Sequence, residues 1–529
     1  MKKVLLVIID ALASRIALPA LQQGRLPCLA SLVERGTLRD ECVSIFPSIT
    51  PAATASIVTG VYPCNHQIAG AFWYNREEDY VAYYGDDVWV MLQEGMNEFV
   101  NDFLVHLNHD CLQARTLYQR TERHGLTAAA INHLWFRGET RHEVHAPALL
   151  KMIPGVEFAP SVMGPQVLAL ADFAASTIPG RDETLHAQGG MARRYGFHDD
   201  TTSEYLNHLA TSDEFPDFTL AYFPNNDFES HSEGPAEALS AVENVDRALH
   251  QFIEARGGLD RFLDEFAIVV TGDHAQCDLT ADSRQRGINL VEALQDFQLA
   301  TTGQPWREAD DVMVCPNMRA CHIYVQDRAP QARDRVVEQL LSDPRVDQIM
   351  WRESSWDDRQ GRDSVDPRSD TFHVETAKRG RLKFSHAGDG QESGGDVYGT
   401  RWSWEGDLAT VGAELSSDNQ LRYDEYPNAL ERISTGFCDT AADLWVTAAE
   451  GFEFYMPATS IHGGGSHAAL NRTDSIVPLI VAGAPQEVKI PIHARTIDVA
   501  PLCLEILGLG EESADLLENR IAGLPQYES

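Results

Sequence analysis

Apolar residues in this chain fall in short unbroken runs separated by amphipathic stretches, and that alternation governs the reading of the fold. Val4 to Ile9, Leu126 to Ile131, Phe218 to Phe223, Phe266 to Val270 and Ser475 to Gly483 are such runs. Continuous apolar runs of this length fit strands buried on both faces. Helical patterns lie between them: Leu18 to Arg35 stopped at Gly36, residues 99–124 stopped at Gly125, residues 236–256 stopped at Gly257 and Gly258, and residues 496–508. The alternation predicts an α/β fold, a mainly parallel sheet between helix layers.

One stretch breaks this rhythm. In Phe46 to Gly60, Pro47 and Pro51 fix φ and interrupt any strand. Pro51 suits a first helical turn, so Thr50 is expected at the N-cap and Gly60 just past the end. A hydroxyl there faces unpaired backbone N–H groups and the positive end of the helix dipole. That suits a nucleophile for an anionic centre such as phosphorus. A Thr-capped helix without chemistry has the same pattern, so its partners must decide.

Residues 61–99 are irregular and aromatic, with Phe72, Trp73, Tyr74, Tyr80, Tyr83, Tyr84 and Trp89. They read either as loop packing or as a pocket wall for an apolar or ring-bearing leaving group. From about residue 300 the texture changes. His322 to Val325 is a short strand and Ala329 to Leu341 a helix, whereas residues 352–432 are rich in Asp, Gly, Ser and Arg and poor in aliphatics. They read as a loop-rich insertion or cap. The expected organisation is therefore a core in two pieces, 1–295 and 441–529, with an insertion or cap over 296–440.

Charge narrows the function. Among 529 residues, 79 acidic against 42 basic leave a net charge of −37, which argues against binding nucleic-acid polymers or anionic membranes. An anionic small-molecule substrate must then meet local positive charge, which metal ions supply. The nine cysteines show no paired spacing, so neither a disulfide framework nor a thiolate zinc site is indicated, and a reducing compartment fits. Met1 to Ala13 imitates a signal peptide, but Asp10 ends an apolar run too short for one or for a membrane span. A buried strand ending in a carboxylate, no membrane segment and a cytoplasmic location are expected.

Three of the apolar runs release acidic or histidine residues just past their ends: Asp10, then Asp227 and His231, then Asp273 and His274. In open α/β sheets that edge binds ligands. With His467 these make six oxygen and imidazole ligands without thiolates, a set for Zn²⁺ or Mn²⁺. Together with the Thr50 hydroxyl they suffice for two metals sharing one site.

The ordered set resembles the alkaline phosphatase superfamily, and most closely its type I phosphodiesterase/nucleotide pyrophosphatase branch. Asp10 after its strand, Thr50 ten residues before Gly60, Asp227 to His231, Asp273 with His274, and His467 before the strand to Gly483 carry the likeness over residues 1–290 and 440–529. The resemblance implies one metal on Asp10, Thr50, Asp273 and His274 and another on Asp227, His231 and His467. His462 is a rival for the last place; His467 is preferred because the residues after it fit the family better. Two departures stand out. The nucleotide pyrophosphatases carry Asn three residues after the nucleophile, where this chain has Ala53, so Thr54 or Asn132 is expected to supply the phosphoryl donor, with Phe72 and Trp73 holding a substituent. Sulfatases carry a modifiable Cys or Ser in place of Thr50; Cys315 to Arg319 echoes their motif in the wrong place.

The expectation is a two-metal phosphoryl hydrolase acting through a covalent phosphothreonine on small phosphoesters. A phosphonate hydrolase of the same superfamily is the alternative, and a metal-binding protein without turnover is a third reading.

Overall fold

The computed structural model describes residues 2–84, 102–145, 147, 158–356, 366–387, 393–440, 442–457 and 459–528. Its centre is a nine-stranded sheet built from β1 (Lys3–Ile9), β2 (Gly36–Val43), β3 (Ala128–Ile131), β4 (Val167–Leu170), β5 (Ala174–Ala175), β6 (Phe218–Phe223), β7 (Phe266–Thr271), β8 (Ile476–Ala482) and β9 (Ala494–Arg495). Their order is β9-β2-β8-β7-β1-β6-β3-β4-β5. β7, β1, β6, β3 and β4 run parallel. β8 is antiparallel to both β7 and β2, which leaves β2 pointing the same way as β7.

β1 shows why an unbroken apolar run was needed. Val4, Leu6 and Ile8 enter the core on one face, Leu5, Val7 and Ile9 the core on the other, and all six have no solvent exposure. Each such side chain stabilises by roughly 1.5–3 kcal/mol. The strand that ends at Asp10 is thereby anchored between two hydrophobic layers. The register sets Ile9 beside Phe223 and Ile8 beside Thr271, so the residues after β1, β6 and β7 emerge at one edge of the sheet.

The helices differ from the periodicity where local signals were stronger. Leu18 to Arg35 is two helices, Ser14–Gln22 and Pro27–Glu34. Gly24 turns left-handed between them and Pro27 starts the second. The helix expected over 99–124 is likewise two, Asp102–Cys111 and Leu117–Arg123, the second begun by a Thr116–Gln119 capping box; residues 99–101 and Trp89 lie outside the described residues. A further helix, Gly510–Asn519, follows Val499–Ile506.

The described residues of the insertion are not loop-rich. Residues 312–448 contribute a ten-stranded, almost wholly antiparallel sheet, and Leu444–Ala448 lies inside it, so the second sheet extends past the boundary expected at 440. Strands such as Thr371–Thr376 alternate buried and half-buried positions, so only every second residue is apolar and aliphatic content stays low. Arg319 joins this sheet to the core through a buried ion pair with Asp474. Cys315, whose surroundings echoed a sulfatase motif, is buried in the strand Val312–Asn317.

A second buried network closes the fold. Glu431 accepts from Tyr62 Oη at 2.6 Å, Arg495 Nη1 at 2.8 Å, Asn428 Nδ2 at 2.9 Å and the Gly523 amide at 3.0 Å. Arg495 and Arg520 share Asp498, at 3.0 and 2.6 Å. Removing one member of such a group strands a buried charge. Glu431→Ala is expected to lower unfolding stability by about 3–5 kcal/mol. Urea unfolding with an unchanged midpoint would contradict a structural role for this network.

Candidate active site

Thr50 is the first residue of the helix Thr50–Thr59; Ile49 takes the cap position, and Gly60 ends the helix with φ 76°. The expected N-cap is thus shifted by one residue, and the shift matters chemically. Among the described residues the Thr50 hydroxyl makes one hydrogen-bond contact, with Nε2 of His274 at 3.0 Å.

His274 Nε2 also lies 3.5 Å from Asp10 Oδ1 and 3.5 Å from Asp273 Oδ2. Beside this group is a second. His231 Nε2 is 3.4 Å from Asp227 Oδ2, His467 Nε2 is 3.6 Å from Asp227 Oδ1, and the two Nε2 atoms are 3.2 Å apart. The His274 and His467 rings stack at 3.8 Å between centroids and join the two groups.

Each imidazole is oriented from behind. His231 Nδ1 faces Gly465 O at 3.0 Å, His274 Nδ1 faces Ala275 O at 3.2 Å, and His467 Nδ1 faces Ser48 O at 2.8 Å. A carbonyl only accepts, so each Nδ1 carries a proton and each Nε2 faces inward. Metal-ligating histidines are held this way. Two inward lone pairs 3.2 Å apart repel unless a cation or proton serves both.

The carboxylates give the same indication. Asp10 Oδ1 and Asp273 Oδ2 are buried with no hydrogen-bond partner among the described residues. Burial, then the charges of Asp273 and Asp227, push the Asp10 carboxyl well above its usual range, and burial raises Asp273 too. Burial would also raise Asp227, but the imidazoles of His231, His467 and His274 hold it down. Burial lowers His231, yet Asp227 outweighs it and brings the imidazole up to about 9. Among the described residues no Arg or Lys pairs with Asp10, Asp227 or Asp273. A buried, under-compensated anionic cluster fits divalent cations. Ligand atoms on a tetrahedral zinc with bonds of about 2.0–2.1 Å lie roughly 3.3 Å apart, and the six contacts above span 3.0–3.6 Å.

His462 is a neighbour of this cluster. Its ring stacks on His231 at 4.1 Å, and its Nδ1 is 3.0 Å from Glu453 Oε2. Among the described residues, those of the His, Cys, Asp and Glu groups that could hold metal include two buried clusters, Asp227 with His274 and His467, and Asp10 with Asp273 and His274. A third group, Glu183 with His186 and His208, is at the surface.

The four side chains expected to touch substrate are placed differently. Thr54 donates to Thr50 O at 2.5 Å and accepts from Trp135 Nε1 at 3.0 Å. Asn132, left-handed at φ 53°, donates to Gly196 O and Thr202 Oγ1 and accepts from the Ala171 amide. Phe72 and Trp73 are buried in a hairpin against Tyr83 and Tyr84. All four are buried. Contacts that periodicity did not reveal include Tyr222 Oη on Asp10 Oδ2, Asn226 Nδ2 on Asp10 O at 2.7 Å, Gln276 Nε2 on Asp227 Oδ1 at 2.5 Å and Ser44 Oγ on Asp273 O at 2.5 Å. Asn226 and Gln276 sit one and two residues from ligand candidates, the only signal the sequence held for them.

The model of the type I phosphodiesterase / nucleotide pyrophosphatase family matches residues 4–396. Among solved structures, human ectonucleotide pyrophosphatase / phosphodiesterase 5 aligns at TM-score 0.53 and 12% identity over 96% of this chain and 95% of its own. Phosphonoacetate hydrolase from Sinorhizobium meliloti 1021 aligns at TM-score 0.54 and 17% identity over 96% of both chains. A 2,3-bisphosphoglycerate-independent phosphoglycerate mutase from Wolinella succinogenes is 34% identical over 68 residues, 13% of each chain. The matched family is one of hydrolases acting on phosphoesters, and the fold is alkaline-phosphatase-like. The chain belongs to the type I phosphodiesterase / nucleotide pyrophosphatase family. Among the described residues no helix is long and apolar enough to cross a membrane.

Proposed function

We propose that this protein hydrolyses small phosphodiesters through a covalent phosphothreonine on Thr50, and that two divalent cations, zinc or manganese, complete its site. Asp10, Thr50, Asp273 and His274 would hold one cation, and Asp227, His231 and His467 the other. Bound cations of this kind act as Lewis acids that lower the pKa of a coordinated hydroxyl and offset phosphoryl charge. The observation that carries the reading is the Thr50 hydroxyl 3.0 Å from His274 Nε2. Thr50 Oγ1 would lose its proton to solvent and attack phosphorus opposite the leaving ester oxygen. The bond from phosphorus to that oxygen breaks, and the leaving group takes a proton from water. The positive end of the Thr50 helix steadies the phosphoryl oxygens. Water then cleaves the phosphothreonine, releasing the phosphate product and restoring the hydroxyl.

A phosphonate hydrolase uses the same attack with carbon as the leaving atom. Ala53, in the place where the nucleotide pyrophosphatases carry Asn, keeps this second reading in play, as does the fold likeness to phosphonoacetate hydrolase.

Diesters are expected to be preferred over monoesters. Among the described residues no Arg or Lys bonds to Thr50, Asp10, Asp227 or Asp273, and a monoester dianion is served best by a cationic clamp beside the attacked phosphorus. With about two equivalents of zinc bound, kcat/KM for bis-p-nitrophenyl phosphate should exceed that for p-nitrophenyl phosphate by about tenfold or more. A preference for the monoester would overturn the diester reading, and full activity in a rigorously metal-free sample would overturn the metal requirement.

A further inference from the structure

We propose that Arg194 receives a second anionic group of the substrate, a carboxylate or phosphate carried beyond the attacked phosphorus, and so selects substrates that have one. The proposal rests on the phosphoryl-hydrolase reading above. Arg194 lies in the turn Met191–Gly196 with φ 49° and ψ 47°, and Tyr195 follows at φ 54° and ψ 33°. Two successive non-glycine residues in the left-handed region are uncommon. The surroundings impose them. The Tyr195 amide donates to Gly190 O at 2.8 Å and the Asp172 amide to Tyr195 O at 2.8 Å. A Cβ on Gly196 would meet Ala171 Cα at 2.8 Å. Over-determined strain of this kind clusters at ligand sites.

The turn aims Arg194 at the helix Asn225–Glu233, which carries Asp227 and His231. Arg194 Nη1 donates to Asn225 Oδ1 at 3.1 Å and to Phe197 O at 3.3 Å. Its guanidinium lies over the Phe228 ring at 3.8 Å. Phe228 directly follows Asp227 and is 36% exposed. The cation is therefore fixed by a stack and one edge. Among the described residues its Nε and Nη2 make no hydrogen bond and it forms no ion pair, although Asp199, Glu229 and Asp227 lie within its field. Arg193, by contrast, is tied to Glu204 at 2.8 Å and Asp200 at 3.5 Å. A half-buried guanidinium with its Nε and Nη2 donors free offers the fork that carboxylates and phosphates fill.

The test uses the zinc-loaded protein and three probes that are not esters: ethylphosphonate, 3-phosphonopropionate and 1,2-ethylenediphosphonate. Titration calorimetry should show wild type binding at least one of the doubly anionic probes about tenfold or more tighter than ethylphosphonate. The stronger of the two identifies the second group as carboxylate or phosphate. Arg194→Ala should bring that ratio close to one, and Arg194→Lys should leave it intermediate. Metal content and thermal unfolding are measured alongside; should the alanine variant lose metal, Arg194→Gln, which keeps a polar planar side chain without charge, is read instead. Wild type without the preference, or a neutral variant that retains it, overturns the proposal. Esters hydrolysed without the preference sink this inference alone. The preference and its loss in a protein that hydrolyses no ester sink the hydrolase reading alone.

Discussion

Thr50→Ala is expected to reduce kcat by about 10³-fold or more while leaving fold and metal content close to wild type. The size follows from removing the nucleophile of a covalent route, which no neighbouring group replaces. Retention of the fold follows from geometry. Thr50 is half-buried, the helix cap position belongs to Ile49, and the Thr50 hydroxyl contact is with His274. Losing one such hydrogen bond costs about 1 kcal/mol. Thr50→Ser keeps a hydroxyl at the same place and should retain measurable turnover. Wild-type rates in the alanine variant, with metal content checked, would mean that water attacks phosphorus directly.

The second large effect separates two histidines five residues apart. His467→Ala should lose about one metal equivalent and lower kcat/KM by about 10²-fold or more, because its Nε2 and that of His231 converge on Asp227. His462→Ala should keep both equivalents and lose about tenfold, the usual cost of a group that orients a ligand. His462 stacks on His231 and its Nδ1 meets Glu453 Oε2. Metal analysis of the two purified variants checks this. Loss of metal in the His462 variant with retention in the His467 variant would reverse the assignment.

The candidate ligands were legible in the chain because parallel topology turns a one-dimensional pattern into a place. Asp10, Asp227 and Asp273 each follow an apolar run, and runs buried on both faces lie in a parallel sheet whose carboxyl ends share one edge. Thr50 was legible through Pro51 and Gly60, although the cap fell on Ile49. His467 was less so, since it follows a two-residue strand, Gly465–Ser466, paired with Cys277–Asp278, which no periodicity announces.

Contacts made at right angles to the chain left little trace in it. Thr54 faces back along its own helix to Thr50 O, the usual behaviour of a mid-helix threonine. Asn132 has the left-handed backbone that asparagine tolerates, and its amide secures two neighbouring segments. Both look like donors at a strand end or helix start until their partners are known. The second sheet was hidden for another reason: one polar face dilutes the aliphatic signal, and long-range antiparallel pairing such as Ala320–Val325 with Leu444–Ala448 has no local signature.

The central claim is that Thr50 becomes phosphorylated during turnover, and the stereochemical course at phosphorus tests it most directly. A phosphorothioate diester of known configuration would be hydrolysed in ¹⁸O-labelled water and the product's configuration determined. Two in-line displacements, first by Thr50 and then by water, predict overall retention. Inversion would show a single displacement by water and would contradict the covalent route.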